Sequence, residues 1–286
     1  MIGLRDLYYI RLGTRDLDGA ERFTTDIVGM QPIERTEDRL YLRSGKQHHS
    51  LCYFNGDPGD HAIGLEMKDW NGLDEAMAAL DAAGHACIRG TEEECRDRSV
   101  EDFCKFQDPT GNNIELLVRP HDANRRYFPS RDCGVISLGH IGVNSTDTKQ
   151  DEDFWTSLFN VRVSDWIGPA PLLRMKSVHH QMALFPTTKP GVQHINHQVE
   201  SFDDIMRSFY FLQERQIKIV FGPGRHATSE GYFLYFEGHD GMVFEYSNSD
   251  RKIIDDEENY RPRQFPMEPE SFCVWGSKPD IPEFNA

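Results

Sequence analysis

The chain has 286 residues, 38% of them apolar, enough to fill one or two globular cores, and no apolar run approaches the length that spans a bilayer. Its 31 basic residues against 47 acidic ones give a formal charge of −16, which repels phosphate backbones and argues against a nucleic-acid partner. Six cysteines without a CxxC pair read as reduced thiols, and the start MIGLRDLYYIRLG lacks the features of an export signal, so a cytoplasmic protein is expected.

In chain order, LYYIRLGTRDLDGAERFTTDIVGMQ (7–31) predicts an apolar strand, a turn ending in Asp, and a helix with aromatic and aliphatic residues at helical spacing. RSGKQHHSLCYF (43–54) follows as a turn, a His-His pair and an alternating strand. HAIGLEMKDWNGLDEAMAALDAAG (61–84) reads as a strand and an amphipathic helix that stops at Gly84, where a terminating glycine is expected. FCKFQDPTGNNIELLVRP (103–120) is a hairpin turning at Pro109-Thr110-Gly111. The same plan then recurs in LGHIGVNSTDTKQDEDFWTSLFNVR (138–162), MKSVHHQMALF (175–185), HINHQVESFDDIMRSFYFLQERQ (194–216) and YFLYFEGHDGMVFEYS (232–247). Each half is therefore two strand-helix-strands units. A polar, proline-containing segment at 121–134 separates residues 1–120 from residues 135–250, and the proline-rich tail 251–286 is expected to pack on the surface.

The chemistry concentrates in the second half. Glu245 stands in an apolar strand, MVFEYS, near several histidines; its counterpart Glu115, in NNIELL, has none around it and is expected to make a structural salt bridge. His140 lies near the start of the first strand of the second half, where the first half carries Ile10 or Arg11, so a metal site is expected in the second half only. His194 and His197 point to opposite faces of their strand, and only one of them can join a site with Glu245. Two histidines and one carboxylate on one face are the usual donors of non-haem iron(II) oxygenases.

Four βαβββ units in a row, with a hairpin and an acidic strand closing each half, resemble the vicinal oxygen chelate, or glyoxalase, superfamily over about residues 5–250. Within it the second half is similar to the type I extradiol dioxygenases that cleave biphenyl diols and catechols. The resemblance implies an α+β fold in which four modules pair into two cup-shaped barrel domains, 1–120 without metal and 135–250 catalytic. GRHATSEGYFLYFEGHDGMVFEYS (224–247) resembles the ring-cleavage signature through Gly224-Arg225-His226, Leu234-Tyr235, a glycine-containing turn and Glu245. It departs at Gly238-His239, where the family's turn carries Pro, and His239 falls outside the ligand set. His194 precedes Asp203-Asp204 by the family's spacing, which selects it over His197 and makes His197 outward-facing or interfacial.

By that resemblance His140, His194 and Glu245 hold Fe(II), or Mn(II) in its place; His180, the second of the His-His pair, is the acid-base catalyst; and His226 and Tyr235 hydrogen-bond the substrate. The implied reaction inserts both atoms of O2 into a catechol-type diol and opens the ring beside the two hydroxyls, in a homo-oligomer that degrades aromatic compounds. Gly142, two residues beyond His140, leaves room for a bulky or bicyclic ring, with Met182, Phe185, Phe233 and Trp155 as candidate walls. A lyase or isomerase of the same fold would usually carry a Glu where this chain has His, and a protein that merely sequesters aromatic ligands needs no acid-base histidine.

Overall fold

The computed structural model describes residues 1–248 and 254–284. The first half contains strands β1 (Leu4–Thr14), β2 (Gln31–Arg35), β3 (Arg39–Arg43), β4 (Leu51–Asn55), β5 (His61–Met67), β6 (Ile88–Arg89), β7 (Asp102–Gln107) and β8 (Asn113–Val118). Its helices are α1 (Leu17–Phe23), α2 (Leu73–Ala82) and α3 (Glu92–Arg98). The second half contains β9 (Val135–Ser145), β10 (Arg162–Ile167), β11 (Ala170–Arg174), β12 (Met182–Pro186), β13 (Val192–Val199), β14 (Ile219–Arg225), β15 (Tyr232–Glu237) and β16 (Val243–Asn248). Helices α4 (Thr148–Leu158) and α5 (Phe202–Glu214) belong to it, and the tail adds β17 (Arg263–Phe265) and α6 (Pro269–Phe272).

Each half builds one sheet, in the orders β2-β3-β4-β1-β5-β8-β7-β6 and β14-β15-β16-β13-β9-β12-β11-β10-β17. In every module the first strand runs parallel to the last, as in β1 with β4 and β13 with β16, which requires a crossover that the module's helix supplies. Two modules then join through their first strands, β1 antiparallel to β5 and β9 antiparallel to β13. This is the α+β arrangement of paired modules that the resemblance implies. The turns ending in Asp start helices for a local reason: Asp16 accepts from Gly19 N, and Asp147 from Lys149 N and Gln150 N. The short α3, opened by a Thr91–Glu94 capping box, interrupts the second module and carries the Asp97 and Arg98 discussed below.

The central strands are buried on both faces, so each carries two apolar or functional sets in alternation. One face of both sheets contributes to a common core with the helices, including Ile10, Ile141, Ile195, Val199, Ile205 and Leu212. Met182 and Trp155 lie in this helix-side core, on the far side of the sheet from the histidines, so they are not walls of the site. The alternation places Met182 opposite to its neighbours Ala183 and Phe185, which lie in the second cluster with Phe221, Phe233, Tyr235, Phe272 and Phe284.

The tail does not simply cover the surface. The boundary expected at residues 250 and 251 lies outside the described residues, but beyond it β17 pairs in parallel with β10, and Phe272, Ile281 and Phe284 are buried in the second cluster. Aromatic and aliphatic groups spaced between prolines and charges gain from leaving water, and the open interior of the second sheet is where they find apolar partners. Among the described residues no helix is long and apolar enough to cross a membrane.

Candidate metal centre

Strands β16, β13 and β9 are consecutive in the middle of the second sheet, and each sends one potential metal donor to a common point: Glu245, His194 and His140. The register explains the convergence. Asn196 pairs with Glu245 on the parallel neighbour, and His194 pairs with Gly142 on the antiparallel one, which places His140 and His194 on the same face. His140 Nε2 lies 2.9 Å from Glu245 Oε2 and 3.1 Å from His194 Nε2, and His194 Nε2 lies 3.5 Å from the same carboxylate oxygen. All three side chains are buried.

A plain buried ion pair does not account for this geometry. One imidazole proton on His140 Nε2 cannot serve both the carboxylate and the second imidazole, so one of these two buried acceptors is left without a hydrogen. Three donor atoms about 3 Å apart are what right-angled metal bonds of about 2.1 Å produce. The electrostatics agree. Burial, and then the charge of His140, depress His194 to about 3 against the pull of Glu245, so its imidazole is neutral. Burial alone would raise Glu245, but His140 foremost and then His226 and His194 hold it well below the usual carboxylate range. His194 Nδ1 bonds Gln193 Oε1, which leaves Nε2 with a bare lone pair facing Glu245. The residues present therefore fit a divalent cation.

Around these donors stand the other residues singled out in the sequence. The His180 ring centroid is 4.2 Å from that of His140. His226 Nδ1 lies 2.8 Å from Phe272 O, so Nδ1 carries a proton; its Nε2 lies 3.3 Å from Tyr235 Oη and 3.5 Å from Glu245 Oε1. Tyr235 pairs directly with Glu245 across β15 and β16, and burial followed by the Glu245 charge raises its pKa well above that of a free phenol. Phe233 stacks on His226 at 4.0 Å, and Phe185 lies 6.0 Å from His194. Gly142 has a different role from the one expected: a Cβ there would lie 2.3 Å from His194 Nδ1, so the glycine makes room for the ligand ring and not for a substrate. His197 does face away from the site, yet it is not at the surface; it is fully buried and stacks with Phe244 in the helix-side core. His239 bonds Thr14 Oγ1 at 3.1 Å and joins the two halves.

The sequence matches the Glyoxalase/Bleomycin resistance protein/Dioxygenase superfamily over residues 7–116 and again over residues 137–246, once in each half. The chain belongs to that superfamily. Among curated relatives it is 25% identical to a 1,2-dihydroxynaphthalene dioxygenase of Sphingobium xenophagum, across 91% of this chain and 93% of that one. It is 26% identical to an iron-dependent extradiol dioxygenase of Rhodococcus jostii, across 89% and 92%. Among solved structures, BphC, a halotolerant catechol dioxygenase, superposes with a TM-score of 0.87 over 98% of this chain and 97% of that one at 22% identity, a likeness of fold.

The two superfamily matches carry different interiors. Ile10 pairs with Leu51 and Ile141 with Met182, each two residues beyond the second histidine of its pair, so Tyr9, not Ile10 or Arg11, is the counterpart of His140. By the same registers Ala62 stands for His194 and Glu115 for Glu245. In this half of the superfamily fold the cation is a guanidinium: Arg98 Nε and Nη2 lie 2.9 and 2.6 Å from Glu115 Oε1, and Tyr9 Oη donates to Oε2 at 2.5 Å. Sequence reading missed Gln193, Phe272 and Phe284 near the site. Gln193 could have been noticed as an amide next to His194, whereas nothing local marks the two tail residues.

Proposed function

We propose that this superfamily member is an extradiol dioxygenase that opens the ring of a catechol-type diol, inserting both atoms of O2. The observation that carries the reading is the meeting of His140, His194 and Glu245 at 2.9–3.5 Å with His180 and Tyr235 beside them. Fe(II), or Mn(II) on the same donors, supplies a centre at which diol and O2 are brought together. His180 takes a proton from a substrate hydroxyl at its ring nitrogen and holds it for return. Tyr235, kept protonated by its surroundings, donates to charge developing on the substrate oxygen, and His226 orients that hydroxyl. Phe185, Phe221, Phe233 and Phe284 keep water out of the cup.

The same proposal assigns the metal chemistry to residues 135–250 and a supporting role to residues 1–120. It also assigns the protein to the cytoplasm, supported by six cysteines that form no disulfide, and to a homo-oligomer, which light scattering tests.

Anaerobic reconstitution with Fe(II), and in parallel Mn(II), followed by oxygen and a panel of diols tests the reading through the yellow ring-opened product. Two-ring diols head the panel because the Sphingobium xenophagum relative is named for one. A chain that binds one metal ion per site and yields no product from any diol would overturn it.

A further inference from the structure

Behind His180 runs a line of buried polar contacts that leads away from the metal donors. His180 Nδ1 and His179 Nδ1 are 3.0 Å apart, and His179 Nε2 is 2.9 Å from Asp165 Oδ2. His179 and Asp165 are both fully buried. On the far side of the carboxylate, Arg263 of β17 closes the line: its backbone N donates to Asp165 Oδ1 at 2.8 Å, its Nε to Oδ1 at 3.1 Å and its Nη2 to Oδ2 at 2.6 Å. Arg263 Nη2 also donates to Thr228 O at 2.7 Å, which holds the guanidinium in place.

Elementary donor and acceptor counting orders the protons along this line. Burial alone would raise the pKa of Asp165, but the bonds from His179 and Arg263 outweigh it and keep the group ionised. An ionised carboxylate only accepts, so His179 Nε2 carries a hydrogen. Its Nδ1 faces His180 Nδ1 at 3.0 Å, so one hydrogen lies between the two rings and fixes how the His180 ring is turned.

We infer that Asp165 and His179 are positioning residues that hold the His180 ring, through the contact between the two Nδ1 atoms, in the orientation that presents its other edge to a substrate hydroxyl; this rests on the dioxygenase reading above. The first half repeats the histidine contact, with His48 Nδ1 and His49 Nδ1 3.1 Å apart. By strand register its counterpart of Asp165 is Glu34, which is exposed, so the buried carboxylate occurs only in the half with the metal donors.

The test is steady-state kinetics on the iron-loaded protein. Asp165→Asn and His179→Phe are each expected to lower kcat about 10–100-fold while KM and iron content stay near wild type. The double variant should lose no more than the worse single one, because the two residues act as a unit. A nitro-substituted catechol, already ionised at the assay pH, should recover most of the loss, since it needs no base. Arg263→Gln separates this role from anchoring of the tail and should cost less than about threefold. Equal losses on both substrates, additive losses, or a raised KM or lost iron at unchanged kcat per iron would overturn the inference. Should Asp165→Asn not fold, His179→Phe, which keeps a ring in the buried space, carries the same expectation. Wild-type protein that cleaves no diol would overturn the dioxygenase reading and this inference together, whereas normal wild-type turnover with unaffected variants would overturn the inference alone.

Discussion

Tyr9 donates its hydroxyl to Glu115 at 2.5 Å, in the place where His140 faces Glu245 at 2.9 Å in the second half. One framework thus buries the same carboxylate twice and surrounds it in two ways, with Arg98 in the first half and with His140 and His194 in the second. The Arg98–Glu115 pair has side chains only 11% and 3% exposed, so removing one partner leaves a buried charge. Arg98→Met is expected to destabilise by about 3–5 kcal/mol in urea denaturation, with iron content unchanged. Tyr9→Phe, which loses one neutral donor, should cost about 1–2 kcal/mol.

The metal reading makes a prediction that does not depend on turnover. Anaerobic Fe(II) should raise the melting temperature of the wild type, because a ligand that binds only the folded state stabilises it. His140→Ala, His194→Ala and Glu245→Gln should each abolish that rise and reduce bound iron at least about tenfold by elemental analysis. A variant that keeps both is not a ligand.

His197 sits in the helix-side core against Phe244, and burial depresses it to about 4 from 6.5, partly opposed by the Ser137 backbone. Its folded-state pKa lies below the unfolded one, so its contribution is present above pH 6.5 and is lost as pH falls towards 4. The difference corresponds to about 3 kcal/mol. His197→Phe should flatten the acid limb of the stability curve relative to wild type. His197→Ala, at a position that the sequence reading makes outward-facing or interfacial, should cost about 3 kcal/mol through the cavity it leaves while retaining iron. Denaturation at pH 7.5 and pH 5 checks both.

Phe284 reaches into the cup, with ring centroids 4.8 Å from Phe185, 6.0 Å from Tyr235 and 6.5 Å from His194. Phe284→Ala should enlarge the substrate space and shift the ratio of kcat/KM for two-ring over one-ring diols upward by about tenfold. An unchanged ratio would place the substrate elsewhere in the cup.

The alternation of apolar and polar residues, the turn chemistry and the duplication were all legible along the chain, because each depends on neighbours a few residues apart. So were the four modules and the asymmetry between halves: histidines accompany Glu245 and not Glu115, and that difference is written in the residue types themselves. Alternation also told that His194 and His197 must part. It could not tell which side of the sheet is cup and which is core for every strand, since that depends on how modules join through β1 with β5 and β9 with β13. Hence Met182 and Trp155 turned out to be core, Gly142 proved to be space for His194, and Tyr9 replaced Ile10 or Arg11 as the counterpart of His140. The tail was the least legible segment. Its proline-rich composition argues for extended chain, but where extended chain docks is decided by the groove it finds. Arg263 reaching Asp165 across 98 positions, and Phe284 beside His194, are relationships of tertiary structure alone.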